Sequence, residues 1–219
     1  MTEQNKWVSD ELNQSILQSI HASIKQYISQ HYGSQRALEI DQAISDAQSE
    51  LEHAFAALVI DPPGKFHLRF MSLILASYRG LAGLMPKEEA LALVKTAVIE
   101  PNRKAMREGV KYALDGAPDP MNMIVDASKQ REEFFFGKSF TFERNQDDQQ
   151  AYILHVKRCF YHQYAQENSA PELMQILCEW DWLWANAIEP ARHGFSFELP
   201  TTLGYGGDMC RFCFRRLSK

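Results

Sequence analysis

A chain of 219 residues with 45% hydrophobic and 23% charged content has material for one substantial core and too little for two comfortable ones. A formal net charge of -5 and a pI near 5.8 exclude the basic stripe of a general nucleic-acid binder. The opening MTEQNKWVSD has neither a charged n-region nor an apolar h-region, so no signal peptide is expected.

Leu12, Ile16, Ile20, Ile24 and Ile28 recur every four residues, the apolar stripe of an amphipathic helix opening near Ser9 or Asp10. A second helix is expected from about Gln35, with Leu38, Ile44, Leu51, Phe55 and Leu58 inward, stopped by Asp61-Pro62-Pro63-Gly64. Residues 1–65 therefore read as an extension whose stripes offer a surface for a homodimer. Residues 66–219 read as the main α+β domain. The third helix, about Phe66 to Leu84, is apolar nearly all round and belongs in the middle of a bundle. Arg69, Ser72, Ser77 and Arg79 interrupt it, which argues against a membrane span. Pro86 starts a fourth helix, with Glu88 and Glu89 at the positive end of its dipole, and Pro101 is expected to kink or split it.

After Phe134-Phe135-Phe136-Gly137 the period changes to 2. Phe140 and Phe142, a turn at Asn145 to Asp148, then Tyr152, Leu154 and Val156 describe a β-hairpin. A helix from about Phe160 to Glu167 follows. The next is marked by a capping-box spacing of Ser169 and Glu172 around Pro171, and ends near Pro190. Phe195, Phe197 and Leu199 alternate again, and Cys210, Phe212 and Phe214 form the apolar side of a last strand. The order ββααββ after a run of helices implies an α+β fold, an amino-terminal helical bundle followed by a small four-stranded antiparallel sheet backed by helices.

All four cysteines lie between Cys159 and Cys213, and the absence of small-secreted-domain character fits reduced thiols in a cytoplasmic protein. Cys210-Arg211-Phe212-Cys213 has the spacing of a redox or zinc half-motif, but strand parity points the two sulfurs to opposite faces and no second C-x-x-C is present. Cys213 on this reading stands with Arg211 and Arg215 and is dispensable. Cys178 and Asp181, three apart, share a helix face. Asp181 is flanked by Trp180, Trp182 and Trp184; it is either on a wet face, or in an apolar site where desolvation favours the neutral acid unless a cation pairs it. Cys159 stands where a strand gives way to a helix. The amides there stabilise a thiolate, which makes it the preferred nucleophile over its alternative as a small buried hydrophobe. The turn Gly204 to Asp208 offers backbone amides to an anion, with Gly206, Gly207 and Asp208 as candidate binding residues, or is plain turn geometry. His155 and His162, near Cys159 in sequence, are candidate proton carriers or structural residues. There is no nucleophile elbow, phosphate-binding glycine loop or H-E-x-x-H helix, which counts against common hydrolases and kinases.

Taken in order, Arg158-Cys159, Tyr161, Pro171-Glu172-Leu173, Cys178-x-x-Asp181, Thr202-Leu203-Gly204 and Gly206-Gly207-Asp208-Met209-Cys210-x-Phe212 resemble the L-2-amino-thiazoline-4-carboxylic acid hydrolase family. The resemblance spans about residues 66 to 216, and Arg211 stands where an acidic residue is expected in the family pattern. It implies hydrolytic opening of a small ring at a C=N carbon, as in conversion of 2-amino-thiazoline-4-carboxylate to N-carbamoyl-cysteine. Cys159, Cys178, Asp181 and Cys210 then carry the chemistry, and fixed amides hold the substrate carboxylate. No cofactor is expected, although three thiols and a carboxylate are also ligands that zinc or iron accepts. The competing reading is a non-catalytic ligand-binding or sensory module built on the same pocket.

Overall fold

The structure, a computed structural model, describes residues 10–217. The residues before Asp10, on which the reading of the chain's opening and a Ser9 helix start rest, lie outside the described residues. Contacts divide the chain into two compact units, one up to Asn102 and one from Arg103 onward.

In the first unit, α1 (Asp10–Tyr32) and α2 (Ser34–Ala54) are joined by Gly33 alone, whose φ of 73° suits a residue without a Cβ. His21 and Lys25 of α1 reach the Asp41 carboxylate of α2 at 2.7 and 2.9 Å. The buried stripe of α1 is Leu17, Ile20, Ile24 and Ile28; Leu12 is exposed. In α2 the inward residues are Ala37, Ile40 and Ile44, and Leu38 faces outward at 56% exposure, because six residues of helix leave it about a third of a turn around the axis from Ile44. Asp61-Pro62-Pro63-Gly64, expected as a stop, is a start. Asp61 accepts the Gly64 N–H at 3.2 Å and the prolines occupy the first turn of α3 (Pro62–Ala82). Phe70, Met71, Ile74, Leu75 and Leu81 of α3 are fully buried. Among the described residues no helix is long and apolar enough to cross a membrane.

α4 (Lys87–Gly116) passes through Pro101 without a break, where a split was one expectation. Proline removes one helical N–H there. Just beyond it the Asn102 side-chain amide donates to the Val98 carbonyl at 3.2 Å. The boundary between the units falls one residue later.

The second unit is the α+β part. α5 (Pro120–Arg131), capped by Asp119, runs into one wide π-turn (Glu132–Phe136) and a 3₁₀ turn (Gly137–Ser139). β1 (Thr141–Asp147) and β2 (Ala151–Arg158) follow, then α6 (Phe160–Glu167), α7 (Met174–Trp182), α8 (Pro190–His193), β3 (Phe195–Glu198) and β4 (Cys210–Arg216). The strands form one antiparallel sheet in the order β1-β2-β4-β3. The hairpin turn lies later than expected. Asn145 falls in β1 at a bulge, and the Asp148 carboxylate closes the turn by accepting the Gln150 and Ala151 N–H groups at 2.7 and 3.0 Å. Ser169 caps nothing: it adopts a left-handed φ of 53°. The helix expected from Pro171 to Pro190 is a 3₁₀ turn (Pro171–Leu173), α7 and a second 3₁₀ turn (Leu183–Ala187).

Sheet register separates two faces. Tyr152, Leu154 and Val156 stand opposite Phe214, Phe212 and Cys210, and Trp184 stacks on Phe214 with centroids 5.7 Å apart. Ala151, Ile153 and His155 stand on the other face, opposite Arg215, Cys213 and Arg211. β2 is buried on both faces from Ala151 to Val156. Cys213 is 4% exposed and packs with Ala151 and Ile153. Its parity is as expected, but its face is not an open one. Cys213→Ser is therefore expected to lower the melting temperature, at a cost of about 1–3 kcal/mol for a buried hydroxyl, while leaving activity per folded molecule unchanged. Thermal denaturation and a specific-activity assay check both halves.

Candidate active site

Antiparallel pairing explains why distant residues meet. Val156 near the end of β2 is paired with Cys210 at the start of β4, so Cys159, three residues on, emerges beside Cys210. α7 then presents Met174, Cys178 and Asp181, spaced by four and three residues along one helix face. The turn before β4, Leu203–Tyr205, lies on that face. A Cβ on Gly204 would stand 2.5 Å from Cys178 Sγ and 3.0 Å from Met174 Cβ, so only glycine allows this approach. All six pairs among Cys159, Cys178, Cys210 and Asp181 are electrostatically coupled, which places the four groups in one neighbourhood.

Cys159, Cys178 and Cys210 are each half-buried as residues, and the Asp181 side chain keeps 26% of its surface open. The residues are thus crowded by protein without being fully enclosed. Burial is the largest influence on all of them, and it raises every pKa. Cys210 is pushed up to about 11, held back by the Leu203 N–H that donates to its sulfur at 3.3 Å. Cys178 is pushed up to about 12, opposed by the Gly204 N–H and by the Thr202 hydroxyl, whose buried oxygen otherwise lacks a hydrogen-bond partner. Cys159 is raised furthest. The His162 N–H at the start of α6 faces its sulfur without reaching cap geometry, and this helix-end contribution, which sequence reasoning put first, is smaller than desolvation. In the free protein all three are neutral thiols.

Two further side chains join the cluster. Arg131, the last residue of α5, brings Nη2 to 3.8 Å from Asp181 Oδ1 and opposes the rise of the Asp181 pKa. Tyr161 on α6 is 2% exposed, packs edge-on against Phe140, and its pKa is raised by burial and then by Asp181 and Cys159. Its hydroxyl is a proton-bearing donor. Arg131 had no periodic or motif signal; the need of an apolar-flanked aspartate for a cation was the one hint. Trp184 also fixes α7, donating Nε1–H to the Asp181 carbonyl at 2.7 Å.

The remaining candidates stand elsewhere. His155 lies on the sheet face opposite Cys210, as does Arg211. The His162 ring points to Gln166 at an exposed contact of 3.5 Å. Gly206 and Asp208 are exposed. The Gly206 N–H is bonded to the Leu203 carbonyl at 3.2 Å and the Gly207 N–H to the Thr202 carbonyl at 2.9 Å, so the turn's later amides are used within the turn. Among the described residues no three His, Cys, Asp or Glu side chains come together in the manner of a metal centre. A separate cavity between α2 and α3, lined by Ala43, Leu51, Ala76 and Gly80, contains none of the candidate residues.

The family model described as L-2-amino-thiazoline-4-carboxylic acid hydrolase matches residues 65–214, from the first turn of α3 into β4. The chain belongs to the L-2-amino-thiazoline-4-carboxylic acid hydrolase family. No curated protein matches the chain. The family match contains every member of the thiol and carboxylate cluster, together with Arg131 and Tyr161.

Proposed function

We propose that the protein is a small-molecule hydrolase that opens a thiazoline-like ring, or another cyclic amidine or amide, at the carbon of its C=N or C–N bond. The observation that carries this reading is the gathering of three half-buried cysteines with Asp181, whose side chain is partly open, in a chain of this hydrolase family. Cys159 is the proposed nucleophile. Burial keeps it neutral at rest, so its activation belongs to the complex, where a cationic amidine offsets the desolvation that disfavours a thiolate.

For a protonated 2-amino-thiazoline the steps balance as follows. The Cys159 proton passes to Asp181 as sulfur bonds to the amidine carbon. The ring carbon–sulfur bond then breaks, and the leaving sulfur takes the proton from Asp181. Water adds to the carbon held on Cys159 and gives one proton to Asp181; the carbon–Cys159 bond breaks and the proton returns to the cysteine. The product is a urea with a free thiol, and the proton of the amidinium is released. In a cyclic amidine or amide without ring sulfur the first bond broken is C–N.

The test is incubation of purified protein with 2-amino-thiazoline-4-carboxylate and a panel of cyclic amidines, with N-carbamoyl product and new thiol measured with and without a chelator. Stoichiometric release of both products supports the reading. Binding that shields the thiols from alkylation, with no product from any member of the panel, favours a ligand-binding module instead.

A further inference from the structure

Arg131 is held on both sides. Its guanidinium lies over the rings of Phe135 and Phe136, 5.2 Å from each centroid. The π-turn that begins at the next residue is pinned by Glu132, 8% exposed, which accepts the Tyr152 hydroxyl and, at 3.1 and 3.0 Å, the Arg144 Nε–H and Nη2–H. Wide turns of this kind often occur where a helix serves a site. A cation so fixed does not close onto its neighbour. At 3.8 Å the contact with Asp181 is within Coulomb reach but too long for a hydrogen bond, and both side chains stay about a quarter open, at 28% and 26%. Arg131 therefore keeps donors, and Asp181 keeps acceptors, open side by side.

An open arginine and an open carboxylate side by side match a small ligand that carries both charges. The turn glycines do not supply the alternative anion site, since the Gly206 and Gly207 amides are bonded within their own turn and the Leu203 N–H is given to Cys210. We propose that the Arg131 guanidinium receives the carboxylate of the substrate while Asp181 faces its cationic nitrogen, which makes Arg131 the residue that selects for a carboxylate on the ring. This rests on the ring-opening reading. It adds which side chain recognises the ring carboxylate, an arginine fork and not the amides of the glycine turn. Glu132, Tyr152 and Arg144 act on the substrate only through Arg131, as positioning residues.

The test is a binding measurement that does not need turnover. Calorimetry is carried out with thiazolidine-4-carboxylate and with thiazolidine, which share a ring and differ in the carboxylate. The wild-type protein is expected to bind the carboxylate roughly 10- to 100-fold more tightly, the range of a charge-assisted hydrogen bond. Arg131→Met is expected to lose the preference and bind the two compounds alike. Arg131→Lys is expected to fall between, since it keeps the charge and loses the fork, and it carries the test if Arg131→Met fails to fold. The proposal is overturned if the wild type shows no preference for the carboxylate, if either variant keeps the full preference, or if both ligands weaken equally. Failure of the ring-opening reading would appear separately, as absence of product in the turnover assay.

Discussion

Cys159→Ser is expected to fold normally and to lose ring-opening turnover by roughly three orders of magnitude or more, as removal of an enzyme's nucleophile does. Serine keeps the shape at the start of α6 but presents a weaker nucleophile that needs a stronger base. Acidity alone does not single this thiol out. In the unliganded protein at neutral pH, alkylation is expected to be slow at all three clustered thiols, with Cys210 first, because its pKa is raised least, to about 11, against about 12 for Cys178 and a larger rise for Cys159. Each rate should climb about tenfold per pH unit below these values. Mass-spectrometric mapping after brief alkylation, alongside steady-state rates for the single Ser variants, separates the assignments. Full turnover in Cys159→Ser with loss in Cys210→Ser would move the nucleophile to Cys210.

Where side chains repeat with a regular period, the fold was legible in the sequence. Tyr152-Leu154-Val156 and Cys210-Phe212-Phe214 are placed by alternation, and pairing them antiparallel brings Cys159 next to Cys210. Cys178 and Asp181 are placed by helical spacing. What the pattern could not carry was tertiary. Arg131 enters from a helix more than twenty residues upstream of Cys159, through a π-turn that no periodicity announces. Gly206 and Gly207 look like anion-binding residues in a string of letters, but their hydrogen bonds are decided by how the turn closes on Thr202 and Leu203. The acidity of Cys159 is hidden for a related reason: position at a helix start is local, whereas the desolvation that outweighs it comes from the packed surroundings. The same gap hid the burial of Cys213, whose face follows from parity but whose cover does not.

Asp181→Asn is the second large effect expected, and it should move activity and stability in opposite directions. Turnover is expected to drop roughly 10²- to 10⁴-fold, the usual contribution of a positioned proton-transfer group. Stability follows from the sign of the pKa shift. Burial raises Asp181 above its ordinary 3.8, with Arg131 only partly opposing it, so the folded protein holds this proton more tightly than the unfolded chain does. The contribution is favourable below the unfolded value and is lost as pH rises through the folded one, leaving a buried carboxylate that costs stability at neutral pH. Asparagine does not titrate. The melting temperature of Asp181→Asn relative to wild type is therefore expected to increase from about pH 3.8 upward and to level off above the folded pKa. Paired thermal melts across that range, with activity measured on the same samples, give both readings. A variant less stable than wild type at neutral pH would mean that attraction to Arg131 outweighs desolvation, and turnover within tenfold of wild type would take Asp181 out of the proton path.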